Sequence, residues 1–140
     1  MPPPVTTGPY WPGWDIARGV TLLSNGSGYV LDGFGGLHPF RAGGSIPPAV
    51  TAGGYWKGWD IARGVVATGA HGGYVVDGLG GTHPWGVGTA PPRPAIGGPY
   101  WPRWDIVRGI AGAGSGPGPV RGYVLDGFGG LQPITLWPAP

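Results

Sequence analysis

The sequence predicts an all-β fold made of three copies of one unit, and three observations carry that prediction. Trp14-Asp15-Ile16-Ala17-Arg18-Gly19 returns as Trp59-Asp60-Ile61-Ala62-Arg63-Gly64 and again as Trp104-Asp105-Ile106-Val107-Arg108-Gly109, at a constant spacing of 45 residues. A second signature follows each first one: YVLDGFGGLHPF from Tyr29, YVVDGLGGTHPW from Tyr74 and YVLDGFGGLQPI from Tyr123. Between the signatures the apolar residues are β-branched or aromatic, punctuated by Gly and Pro, with no helical stripe. A chain that repeats its local chemistry at a fixed period repeats a supersecondary unit.

Within the first unit, Trp14 to Leu23 reads as a strand and Tyr29 to Asp32 as a second, with Ser24-Asn25-Gly26-Ser27-Gly28 as the hairpin turn between them. The equivalent loops are Thr68 to Gly73 and the longer Ala111 to Gly122, and a segment that absorbs insertions is a loop. Asp32-Gly33-Phe34-Gly35-Gly36 turns the chain into Leu37 to Phe40, a third strand whose Pro39 assigns it to an edge or an end. Ala49 to Trp56 is a weaker fourth. The boundaries are 1–11 for a closing strand, then 12–56, 57–101 and 102–140 for the repeats, the last without its final strand.

Gly and Pro together supply 33 and 19 of the 140 residues, a composition that without a period indicates disorder. Here the glycines keep register, and eight Trp, six Tyr and three Phe supply a core. There is no Cys, so the fold does not rest on disulfides. The formal charge of +2 is scattered, and no basic run suggests nucleic acid. No stretch approaches the length of a membrane helix, and Met1-Pro-Pro-Pro-Val lacks the charged start and apolar run of a signal peptide.

Alternation along the first strand puts Ile16, Arg18, Val20 and Leu22 on one face and Ala17, Gly19, Thr21 and Leu23 on the other. Neither face is polar, and the small residues let a neighbouring sheet approach closely, which fits sheets stacked face to face around an axis. A hairpin centred on Asn25 sets Val20 opposite Val30 and Arg18 opposite Asp32. The same parity pairs Arg63 with Asp77 and Arg108 with Asp126, three buried cross-strand ion pairs with a structural role.

With these motifs the chain resembles the tandem β-propeller repeats of bacterial, often actinobacterial, surface proteins, in which a GYVLDGWGGLHPFG-like segment alternates with a WDIARG-like one. The resemblance spans almost the whole chain. It implies a four-stranded blade of this period, a ring closed by mixing strands from the two termini, and an extracellular or cell-surface location. Three blades are too few for a closed ring, which takes about four to eight. The expectation is therefore a homo-oligomer, with a dimer giving six blades; the alternative is a three-fold monomer such as a β-trefoil or β-prism.

Trp11, Trp56 and Trp101, followed three residues later by Trp14, Trp59 and Trp104, offer flat faces of the kind that stack on sugar rings. The adjoining Asp15, Asp60 and Asp105 can accept bonds from vicinal hydroxyls, so these nine residues form the candidate glycan sites. The competing role of each Trp is packing between sheets. His38 and His83 share a repeat position, but the third copy carries Gln132, which excludes a threefold metal site; no cofactor is expected. Every ionisable group of the signatures is copied three times, and no nucleophile–base set is present, so catalytic residues are not expected either. The sequence points to a non-enzymatic module that self-associates and binds carbohydrate at several sites, the alternative being a structural scaffold, either a repeat fragment or an engineered propeller, with no small ligand.

Overall fold

Short apolar runs interrupted at regular intervals by glycine-rich turns, Asp-Gly in every repeat, leave the chain one economical solution, the antiparallel meander, repeated. The computed structural model describes residues 1–113 and 116–140. The strands are β1 (Val5–Thr7), β2 (Ala17–Leu22), β3 (Gly28–Asp32), β4 (Leu37–Ala42), β5 (Ala62–Gly69), β6 (Gly72–Asp77), β7 (Thr82–Gly86), β8 (Ile96–Gly97), β9 (Val107–Ala113), β10 (Val120–Asp126) and β11 (Leu131–Leu136). They form three antiparallel sheets, ordered β1-β4-β3-β2, β5-β6-β7 and β8-β11-β10-β9. The fold is all-β, and no helix occurs among the described residues.

The first hairpin keeps the expected register, with Val20 opposite Val30. Its turn is held by Asn25, whose side-chain oxygen accepts the Ser27 N–H at 3.0 Å, while Gly26 takes a φ of 90° that a side chain would disfavour. The third hairpin, expected from 111 to 122, includes residues 114–115, which lie outside the described residues; β9 and β10 flank it.

Two expectations change. The ion pairs Arg18–Asp32, Arg63–Asp77 and Arg108–Asp126 do not form. The ladder slips at each arginine: Ala17 pairs with Asp32 and Gly19 with Leu31, leaving Arg18 as the extra residue of a β-bulge. The same slip occurs between Ala62 and Gly64, and opposite Leu125 and Asp126, where Arg108 is passed over. A bulge re-aims its side chain away from the strand opposite. The outer strands also belong elsewhere. The closing strand expected within 1–11 is confined to Val5–Thr7 and pairs with β4 of the first sheet, and the third sheet, expected to lack its final strand, receives β8 as its fourth. The expected fourth strand at Ala49–Trp56 reduces to one bridge, Ala52 to Gly86, and so serves the middle sheet. Each sheet thus borrows its outer edge from the residues that precede it. Pro39 lies in β4 beyond the part that β1 covers, where no donor is needed.

Two cores lie between the sheets. Tyr29, Leu31, Ala62, Val65, Val75, Trp85 and Val87 fill the space between the first and middle sheets. Val66, Tyr74, Val76, Val107, Val120, Val124, Ile134 and Leu136 fill that between the middle and third. Contact runs through the first strand of each sheet, β2 on β5 and β5 on β9. Burial on both faces holds for the middle sheet, where every residue of β6 is buried; in the first sheet Val20 and Leu22 are 60% and 64% exposed.

Candidate functional site

Each repeat enters its first strand through a tight turn in which the N–H of Trp14, Trp59 or Trp104 bonds the carbonyl of Trp11, Trp56 or Trp101. The residue before the second Trp has positive φ: Gly13 at 78°, Gly58 at 74° and, unusually for a side-chain-bearing residue, Arg103 at 64°. This turn presents two aromatic rings in different directions. The first of each pair points inward: Trp11 meets the His38 ring edge-on with centroids 5.0 Å apart, and Trp56 does the same on His83 at 4.7 Å. The second points out, with Trp14, Trp59 and Trp104 respectively 54%, 52% and 48% exposed. Tyr10, Tyr55 and Tyr100 are exposed as well.

The carboxylates beside these indoles have different fates. Asp60 is gripped by Arg18 from the first sheet through two bonds, Nε to Oδ1 at 3.1 Å and Nη2 to Oδ2 at 2.5 Å, and also receives Arg63 Nη1 at 3.1 Å. The Arg18 hydrogen bond, opposed by partial burial and aided by Arg63, holds the Asp60 carboxyl below the usual carboxylate range. Arg63 grips Asp105 with the same two bonds, at 3.1 and 2.5 Å. Asp15 has only its neighbour Arg18, at 3.3 Å, and its side chain is fully exposed. A carboxylate outside the two-bond clamp and beside an open indole therefore occurs in the first repeat alone, where Tyr10, Trp11, Trp14, Asp15 and Ile16 line an open groove of 350 Å³.

Of the bulged arginines, Arg18 and Arg63 consequently join one sheet to the next, a role that spacing within a hairpin does not reveal. Asp32, Asp77 and Asp126 serve their own turns instead. Asp32 Oδ1 accepts the N–H groups of Phe34 and Gly36 at 2.8 and 3.0 Å, and its Oδ2 lies 2.7 Å from His38 Nε2. Asp77 repeats this with Leu79, Gly81 and His83, and Asp126 with Phe128 and Gly130. The local bonding is what Asp before Gly favours; the His partner six residues on was not legible, because the intervening turn sets that distance.

No three His or Asp side chains among the described residues converge as metal ligands. Chemically, the outer rim offers repeated aromatic faces, and the packed sheets offer repeated Arg–Asp clamps. No family model, no curated protein and no solved structure matches the chain.

Proposed function

We propose that the chain is a non-enzymatic module of three propeller-type blades, which completes its ring with further copies of itself and binds carbohydrate weakly at several aromatic platforms. Packing of each sheet on the next through its first strand supports the blade reading over a trefoil. The observation that carries the ligand reading is that Trp59 and Trp104 stay about half exposed even though their sheets are packed on a neighbour. Tyr55 and Tyr100 are exposed as well, as are Tyr10 and Trp14, so every repeat offers the same two exposed aromatic residues. An indole face takes the C–H side of a sugar ring, and repetition on a rigid frame raises apparent affinity by about 10²–10⁴ through avidity.

A scaffold without a small ligand is the second reading, favoured by the commitment of Asp60 and Asp105 to arginines, which removes two of the three carboxylates from hydroxyl recognition. A glycan array followed by Trp fluorescence titration separates the two. The sugar reading expects saturable quenching and a roughly tenfold loss of array signal in Trp59→Ala, the equivalent of about 1.4 kcal/mol. A blank array leaves the scaffold reading.

A further inference from the structure

We infer that the exposed face of the first sheet and the exposed face of the third are two halves of one junction, occupied head to tail by a second copy of this chain, so that two chains close a ring of six sheets. The inference rests on the self-associating blade reading above and names the surfaces that carry it.

The two junctions inside the chain show what such a surface requires. At the first, the Gly33 carbonyl accepts the N–H groups of Ile61 and Ala62 at 2.8 and 2.9 Å, and the Phe34 carbonyl accepts that of Trp56 at 2.7 Å. At the second, Gly78 accepts from Ile106 and Val107 at 2.8 and 3.0 Å, and Leu79 from Trp101 at 2.8 Å. Each is completed by the two-bond clamp of Arg18 on Asp60 or Arg63 on Asp105. The equivalent groups at the ends of the chain are present but lack these partners. Among the described residues, the carbonyls of Gly127 and Phe128 accept no such bonds, and Trp11, Ile16 and Ala17 donate to no preceding sheet. Arg108 holds only its own repeat's Asp105 and nearby carbonyls, and Asp15 only Arg18.

Apolar burial follows the same division. Tyr29 and Tyr74 are fully buried by the next sheet, whereas Tyr123 is 43% exposed and Phe128, the counterpart of half-buried Phe34 and Leu79, is 81% exposed. On the opposite face Ala62 and Val107 are buried while Ala17 is exposed. The groove lined by Trp11, Trp14, Asp15 and Ile16 is the counterpart of the space that the Gly33–Gly35 turn fills against Trp56 and Asp60. Its occupant is therefore the Gly127–Gly129 turn of another copy. Donor meets acceptor and cation meets anion at every position, which is the complementarity a docking surface needs. A head-to-tail contact either closes or grows into a filament, and six is the multiple of three within the usual propeller range of about four to eight.

The test is absolute mass by light scattering after gel filtration, on the full chain and on Arg108→Asp, Asp15→Arg and Gly109→Ala. The wild type should elute at 28.4 kDa, twice the 14.2 kDa chain. Each charge variant opposes like charges and should run at 14.2 kDa, with the dissociation constant raised at least about a hundredfold. An equimolar mixture of Arg108→Asp and Asp15→Arg restores opposite charges at both junctions and should return to 28.4 kDa, which also proves that both variants fold. Gly109→Ala adds a methyl group that meets nothing within 4 Å in the single chain, so it leaves the monomer intact; a Cβ on the equivalent Gly64 would stand 3.0 Å from the next strand, so the variant should weaken the junction. A wild type that is monomeric at every concentration overturns the inference together with the self-association reading. An oligomeric wild type whose variants keep its mass overturns this junction alone. A three-chain mass or an open series overturns closure at six.

Discussion

One carboxylate organises each Asp-Gly-x-Gly-Gly turn, and Asp77 shows how much rests on it. Its Oδ1 accepts the Leu79 and Gly81 N–H groups at 2.8 and 3.1 Å, its Oδ2 meets His83 at 2.8 Å, and its side chain is only 13% exposed. Burial pushes its pKa up, but the His83 bond and the two backbone N–H bonds outweigh this and leave it below the usual carboxylate range. Because the folded-state value lies below the unfolded one, the contribution is complete above about pH 4 and is lost as pH falls through the folded value. Asp77→Ala should cost about 3 kcal/mol at neutral pH, since hydrogen bonds to a charged group are the strong ones and the buried N–H groups lose their acceptor. Urea melts check this: the wild type should lose more stability than Asp77→Ala between about pH 5 and pH 2, and parallel losses would disprove the role. The turn function of this residue was legible from Asp standing before Gly. The expected pairing with Arg63 does not form, because one bulged residue, which no spacing announces, turns the arginine toward Asp105 of the next sheet.

At the scale of elements, the approach of the third sheet to the middle one depends on Gly64 in β5. A Cβ on Gly64 would lie 3.0 Å from the backbone atoms Gly109 Cα and Ile110 N, whereas one on Gly19 would make an ordinary contact of 3.5 Å with Gly64 Cα. Glycine weakens a strand in isolation, so its presence here reflects the close approach it permits. Gly64→Ala should therefore separate β5 from β9 and destabilise the chain by about 1–3 kcal/mol, as overpacking does. Thermal melting would show it, and an unchanged or raised Tm would mean that the sheets tolerate wider spacing. Small residues on one face of the first strand had already implied close stacking. What local reading missed was which sheet takes each outer strand. Ala49 to Trp56 has Pro47 and Pro48 before it and Gly53 and Gly54 within it, so its pairing is reduced to one bridge and is decided by long-range geometry.

For the whole molecule, three sheets in a row leave the outer faces of the first and third uncovered: Val20, Leu22, Tyr123, Leu125 and Phe128 are exposed, whereas Val65, Tyr74 and Val76, the middle-sheet counterparts of Val20, Tyr123 and Leu125, are buried. Such faces are costly to leave in water and invite association. If association joins folded chains only, it stabilises the folded state by mass action, and the melting temperature depends on protein concentration. For a two-chain assembly a hundredfold rise in concentration adds RT ln 100, about 2.7 kcal/mol per dimer, at 25 °C. Divided by an unfolding entropy of roughly 2.1 cal/mol/K for each residue of two chains, this raises Tm by about 5 °C. Arg108→Asp, which sets like charges against each other at the proposed junction, should melt at one temperature across the same range, and below the wild type. Scanning calorimetry on both proteins reads the difference directly: a concentration-independent wild type would mean that the outer faces remain in water, and the repeated chemistry at the two ends would then need another partner.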